Sequence, residues 1–128
     1  VAGAGADLSH VVLSHTGRQP DLAYHRRILQ TGVNVESDSG FRWKPGQGNP
    51  KLDLCVALLP EFPKQIMLGM DAARSGYWKH FGGAPGLTYL LTQFVPQLRA
   101  KGVAQEAIDR VFIANPARAF SLMERTGS

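Results

Sequence analysis

Three short runs constrain this chain more than anything else: Val11-Val12-Leu13, Val33-Asn34-Val35 and Ile66-Met67-Leu68. Each is too brief for a helix and is bounded by polar residues or glycine, the pattern of a strand buried on both faces. Helix-like stretches lie between and after them, so the order reads strand, helix, strand, loop, helix, strand, loop, helix. Strands that alternate with helices imply parallel strand-helix-strand units. Three such units are too few for a closed eight-stranded barrel, which needs about 250 residues. An open sheet of three strands has exposed edges and makes a poor independent domain.

Local signals set the helices. Pro20-Asp21 opens the first, because proline is tolerated in a first turn and Asp suits the positive helix start; Gly32 stops it. Ser39 to Asn49 is a Gly-rich polar loop. Pro50 to Leu59 is a short apolar helix that Pro60 and Pro63 prevent from continuing. The third strand runs from Gln65 to Gly69. Leu87 to Arg99 is a helix that Pro96 should bend. Gln105 to Phe112 and Ala117 to Met123 read as two more, with Asn115-Pro116 as the joint.

Composition removes several classes. Apolar residues at 44% and charged residues at 19% fit a globular chain. No apolar run reaches the roughly 20 residues of a membrane span, and no secretory signal is visible. The formal charge is +4, but the basic residues are scattered and not interleaved with aromatics, which argues against a nucleic-acid partner. The single Cys55 excludes an internal disulfide, sits in an apolar run and reads as a buried structural thiol. A cytoplasmic setting fits this cysteine usage.

Two strands end on residues that can carry chemistry: His15 after the first and Asp71 after the third. Side chains at the C-terminal ends of barrel strands face the active site, and an imidazole with a carboxylate there can bind zinc or a similar cation. By spacing alone, a hydrogen-bonded structural His and a turn-forming or capping Asp are the commoner reading of the pair. His10, His25 and His80 read as structural or solvent-exposed.

The segment Val11-Val12-Leu13-Ser14-His15-Thr16 resembles the sixth barrel strand of the phosphotriesterase-like family of the amidohydrolase superfamily, and Ile66 to Arg74 resembles the eighth. Gly86 to Leu91 is similar to the start of that family's last barrel helix, and Asn115 to Phe120 to its closing segment. The likeness is collinear over nearly the whole sequence. It implies an α/β fold: a partial (β/α)8 TIM barrel of about three βα units plus C-terminal helices, with residues 1–128 the C-terminal fragment of one metal-dependent hydrolase domain. It also implies two divalent metal ions, zinc foremost. His15 would ligate the more exposed metal, and Asp71 would ligate the more buried one and serve as catalytic base. The family's remaining ligands are a His-x-His pair, a carboxylated Lys and a further His on earlier strands, and none can be placed in this sequence. The full-length protein is expected to form a homodimer.

Substrate class follows from the same resemblance. Organophosphate-hydrolysing members place an Asp shortly after the strand-six His and a His after strand seven; here Arg18 and Asp38-Ser39 occupy those regions. A lactonase branch grips a sugar-lactone phosphate with an Arg and, three residues later, a Tyr of the eighth loop, helped by a Lys of the seventh. Arg74 and Tyr77 stand at that spacing, and Arg42 and Lys44 lie in the seventh loop. Arg presents a planar fork to phosphate oxygens, Lys a mobile charge and Tyr a hydroxyl; Arg74 and Tyr77 read equally well as loop packing. The expectation is a hydrolase of small esters, a lactonase for phosphorylated sugar lactones. The alternatives are a phosphotriesterase or other esterase, and an inactive fragment or structural module lacking the complete metal site.

Overall fold

A computed structural model of the chain describes residues 2–43 and 46–122. Its sheet has three parallel strands in chain order, β1 (Val12–Leu13), β2 (Asn34–Ser37) and β3 (Ile66–Leu68). Val12 pairs with Asn34, and Val35 with Ile66. The crossovers carry α1 (Leu22–Gln30) and α2 (Pro50–Leu58). The fold is therefore α/β with about three βα units, as expected, followed by α3 (Val95–Ala100), α4 (Gln105–Asp109) and α5 (Asn115–Ala119).

Both crossover helices start at a side-chain cap, which satisfies backbone N–H groups that no helical carbonyl can reach. Asp21 accepts the Tyr24 N–H at 2.7 Å. Asn49 accepts those of Lys51 and Leu52, with Pro50 in the first turn. Helices and sheet close over one core that includes Leu29, Val35, Leu58, Ile66, Phe94 and Leu98, each buried side chain contributing about 1.5–3 kcal/mol of transfer free energy. Gly40 passes so close to Phe94 that a Cβ would sit 2.8 Å from the ring.

The C-terminal helices correct the sequence reading. Asn115-Pro116 is not a joint between two helices: α4, a π-helical turn over Arg110–Ala114 and α5 follow one another without a break. Leu90–Phe94 is a second π-turn, leading into α3 and Pro96. In both, the residue before the proline bonds five residues back, Val95 to Leu90 and Asn115 to Arg110. A proline in a regular helix clashes with the carbonyl four residues earlier and leaves it unpaired; a π-turn just upstream widens the coil and shifts the bonding register. The last helix ends at Ala119 rather than Met123, which lies outside the described residues.

Candidate metal centre

The three strand tips form one locus. His15 follows β1, Asp38 follows β2 and Asp71 follows β3, and one donor atom from each lies within 4.8 Å of the other two. His15 and Asp71 thus stand together, as their positions at strand ends predict. Asp38 was not among the expected ligands. The apolar run of the second strand stops at Val35, and Asp38, just ahead of the loop that opens at Ser39, entered the sequence reading only as part of the region after the seventh strand. The strand in fact continues to Ser37: Glu36 interrupts the apolar pattern because Ser14 Oγ donates to its carboxylate at 2.6 Å. On that side Gly69 leaves no room for a Cβ beside Glu36.

The backbone at the tips is unusual. His15, Ser39 and Asp71 are the non-glycine residues with positive φ among those described, at 62°, 55° and 50°. A left-handed conformation costs an L-residue about 1–2 kcal/mol, and such residues gather at functional sites where the surrounding structure imposes them. Each turn directs a polar side chain into the shared locus.

Asp38 is the buried member, with 3% of its side chain exposed against 47% for His15. One oxygen, Oδ2, meets the His15 Nδ1 at 2.5 Å and accepts the His15 backbone N–H at 3.2 Å. The other faces the buried Lys51 ammonium at 3.4 Å, and Lys51 also donates to the Asp38 carbonyl. Lys51 escaped the sequence reading, although a cation in the first turn of a helix opposes the dipole and so hints at a specific partner. Its chain reaches Asp38 past Gly17, where a Cβ would lie 3.1 Å from Lys51 Cε. Asp71 Oδ2 accepts from Ser39 Oγ and Arg42, both at 3.1 Å.

Among the other expected residues, Arg42 therefore sits on the Asp71 carboxylate. Tyr77 packs edge-to-face on Phe41, with ring centroids 4.9 Å apart, which joins the loop after β3 to the loop after β2. Arg74 is exposed and makes no side-chain hydrogen bond or ion pair among the described residues. Lys44 lies outside the described residues. A cavity of about 580 Å³ between α2 and the segment leading into α3, lined by Phe41, Trp43, Tyr89 and Lys101 among others, contains none of the three tip residues.

The remaining histidines are elsewhere. His10 Nδ1 lies 3.2 Å from the Ala119 carbonyl, and His80 packs edge-to-face with Phe81. His25 is buried with its Nδ1 on the Asp21 carbonyl at 2.7 Å and its Nε2 without a partner among the described residues. Cys55 is buried, which pushes its thiol up to about 11.

The donor set fits a divalent cation. The His15 imidazole and the Asp71 carboxylate are mixed nitrogen and oxygen ligands of the kind zinc accepts. His15 Nε2 and Asp71 Oδ1 have no protein hydrogen-bond partner among the described residues, so each retains a lone pair for an ion.

A family model described as "Phosphotriesterase family" matches residues 1–120. The chain belongs to the phosphotriesterase family. A phospho-furanose lactonase of Mycoplasmopsis synoviae is 30% identical over 130 residues, covering 96% of this chain and 37% of that protein. The chain therefore spans little more than a third of that relative's length. Among solved structures of the family, the phosphotriesterase homology protein of Escherichia coli superposes with a TM-score of 0.85 at 30% identity, over 94% of this chain and 41% of that one. A lactonase of Listeria monocytogenes superposes with a TM-score of 0.83 at 27% identity, over 96% and 39%. The three βα units are thus a part of the fold these proteins share. No helix among the described residues is long and apolar enough to cross a membrane.

Proposed function

We propose that these 128 residues are the C-terminal part of a single barrel domain, a metal-dependent hydrolase of ester bonds. Its substrate class is lactones, phosphorylated sugar lactones foremost. The observation that carries this is the convergence of His15, Asp38 and Asp71 within 4.8 Å at the ends of three adjacent parallel strands. His15 and Asp71 would hold a pair of divalent cations, zinc foremost, with the remaining ligands on strands outside this sequence. Such cations, when bound, make water acidic and polarise a carbonyl or phosphoryl oxygen. Asp71 would also supply the base: Oδ2 is held by Ser39 and Arg42, which leaves Oδ1, with two lone pairs, to meet a cation and to take a proton from the attacking water. Arg74, exposed and unengaged among the described residues, would grip a substrate phosphate, and Tyr77, packed on Phe41, would help it. Relatives named for phospho-furanose lactone hydrolysis, and a family structure holding phosphate in its active site, support the phosphorylated class.

The test is a chimera in which the N-terminal portion of the Mycoplasmopsis synoviae relative precedes Val1. It should hydrolyse lactones in a chelator-sensitive way and prefer them to phosphotriesters. Arg74→Ala should raise KM about 10- to 100-fold for a phosphorylated lactone, the size expected of a charge-assisted contact, and far less for a plain one. Equal changes would remove the phosphate clamp, and faster phosphotriester cleavage would move the assignment to that class. A folded, metal-loaded chimera inert to every ester would leave only the structural-module alternative.

A further inference from the structure

Asp38 is the best-buried group of the centre and has no role in the reading above. We propose that it is the positioning residue of His15: it accepts a hydrogen bond from Nδ1–H, fixes the tautomer and rotation of the ring, and leaves Nε2 as the donor atom offered to a divalent cation. Its service to a cation rests on the metal-centre reading just given, whereas its hold on the ring does not.

Three observations converge on this role. First, a single Asp38 oxygen contacts both the ring Nδ1, at 2.5 Å, and the backbone N–H of the same residue, at 3.2 Å. Two bonds from one residue to one oxygen leave the imidazole little freedom to rotate about its side-chain torsions. Second, the acceptor cannot wander. Asp38 is buried, its second oxygen lies 3.4 Å from the ammonium of the equally buried Lys51, and Lys51 also holds the Asp38 carbonyl. A carboxylate removed from water retains its charge only beside such a partner. Third, the ring is half exposed and its Nε2 has no protein hydrogen bond among the described residues, so the free lone pair belongs to the outward edge.

This division of labour explains why Asp38 supports rather than ligates, although it stands within ligand distance of its neighbours. Both of its oxygens are engaged, one by His15 and one by Lys51. A neutral imidazole has one proton to place. With an anionic acceptor at Nδ1, that proton stays there and the Nε2 lone pair is available, the arrangement in which a carboxylate orients a metal-binding histidine and raises its basicity. His15 enters this geometry through its left-handed backbone, and Gly17 keeps open the path for the Lys51 chain.

The ring can be read directly by nitrogen-15 NMR of the histidine side chains in this chain without metal, and zinc can then be titrated into the chimera that restores the missing strands. At neutral pH, His15 should carry its proton on Nδ1. Asp38→Ala should move it to Nε2, and Asp38→Asn, whose amide oxygen still accepts, should retain the original form. Zinc affinity should fall about 10- to 100-fold in Asp38→Ala, as for other residues that orient metal ligands, and less in Asp38→Asn. Should Asp38→Ala fail to fold because Lys51 is left buried and unpaired, the Asp38→Ala/Lys51→Met double variant removes both charges and should show the same tautomer exchange. A wild-type ring protonated on Nε2, or a tautomer indifferent to Asp38, would overturn the proposal. The expected tautomer exchange in this chain without any zinc binding by the chimera, which restores the missing strands, would uphold the hold on the ring and overturn the metal reading instead.

Discussion

At the N-terminal ends of the strands, neutral amides collect backbone groups. Asn34 Nδ2 reaches the Ser9 carbonyl at 2.6 Å, Gln65 Nε2 spans the Leu29 and Val33 carbonyls at 2.7 Å each, and Asn115 Nδ2 spans those of Pro63 and Ile66 at 2.9 and 2.8 Å. At the C-terminal ends of the same strands stand an imidazole, two carboxylates, a buried ammonium and a guanidinium, on backbone turned into the left-handed region. The contrast separates two kinds of buried polarity. The amide end satisfies carbonyls that the sheet and helices leave over, and so supports stability. The charged end concentrates groups that are costly to hold together, the signature of a site shaped for a ligand. The same asymmetry divides barrel enzymes into a stabilising face and a catalytic face.

Substitutions at the two ends should therefore act on different observables. The largest effect is expected at the charged end: in the chimera, Asp71→Asn should lower kcat for lactones about 100- to 10,000-fold, the range for loss of a general base, while the unfolding midpoint barely moves. An unfolding midpoint that falls as steeply as kcat would make Asp71 structural and break the comparison. At the amide end, Asn115→Ala leaves two carbonyls unpaired and should cost about 2–3 kcal/mol in denaturant unfolding, with zinc affinity unchanged.

Cys55 lies in the core beneath both ends and provides a pH test that should be indifferent to either. Its folded value of about 11 stands above the ordinary 9.0 because burial disfavours the thiolate. Stability is then full below pH 9 and falls as pH rises toward 11, because the unfolded thiol ionises first. The loss should approach about 2–3 kcal/mol, should be absent in Cys55→Ala, and should persist in Asp71→Asn. Denaturant unfolding at stepped pH measures it; an unchanged slope in Cys55→Ala would mean that other groups set the alkaline limit.

Much of the fold was legible because its signals are local. Short apolar runs mark strands whichever neighbours they acquire, and Asp21 and Asn49 cap helices where polar residues precede apolar stretches. The C-terminal helices were misread for a physical reason: proline predicts a break, but a π-turn upstream of Pro96 and of Pro116 absorbs the missing bond, and nothing in the local pattern announces it. At the site, His15 and Asp71 were visible because each directly follows an apolar run. Asp38 was seen only as a departure from the organophosphate-hydrolysing members, because Glu36 and Ser37 separate it from the apolar run and no apolar residue points to it as a strand tip.

The residues alone determined the alternation of strands and helices, the two ligand candidates at strand tips and the likeness to a metal-hydrolase family, since all depend on neighbours along the chain. Only the tertiary structure decided which groups stand together. The meeting of Asp38 with His15 crosses 23 positions, and that of Arg42 with Asp71 crosses 29. Parallel pairing of three strands produces these contacts by bringing distant tips to one edge, where buried charge must find its counter-charge whatever lies between them in sequence.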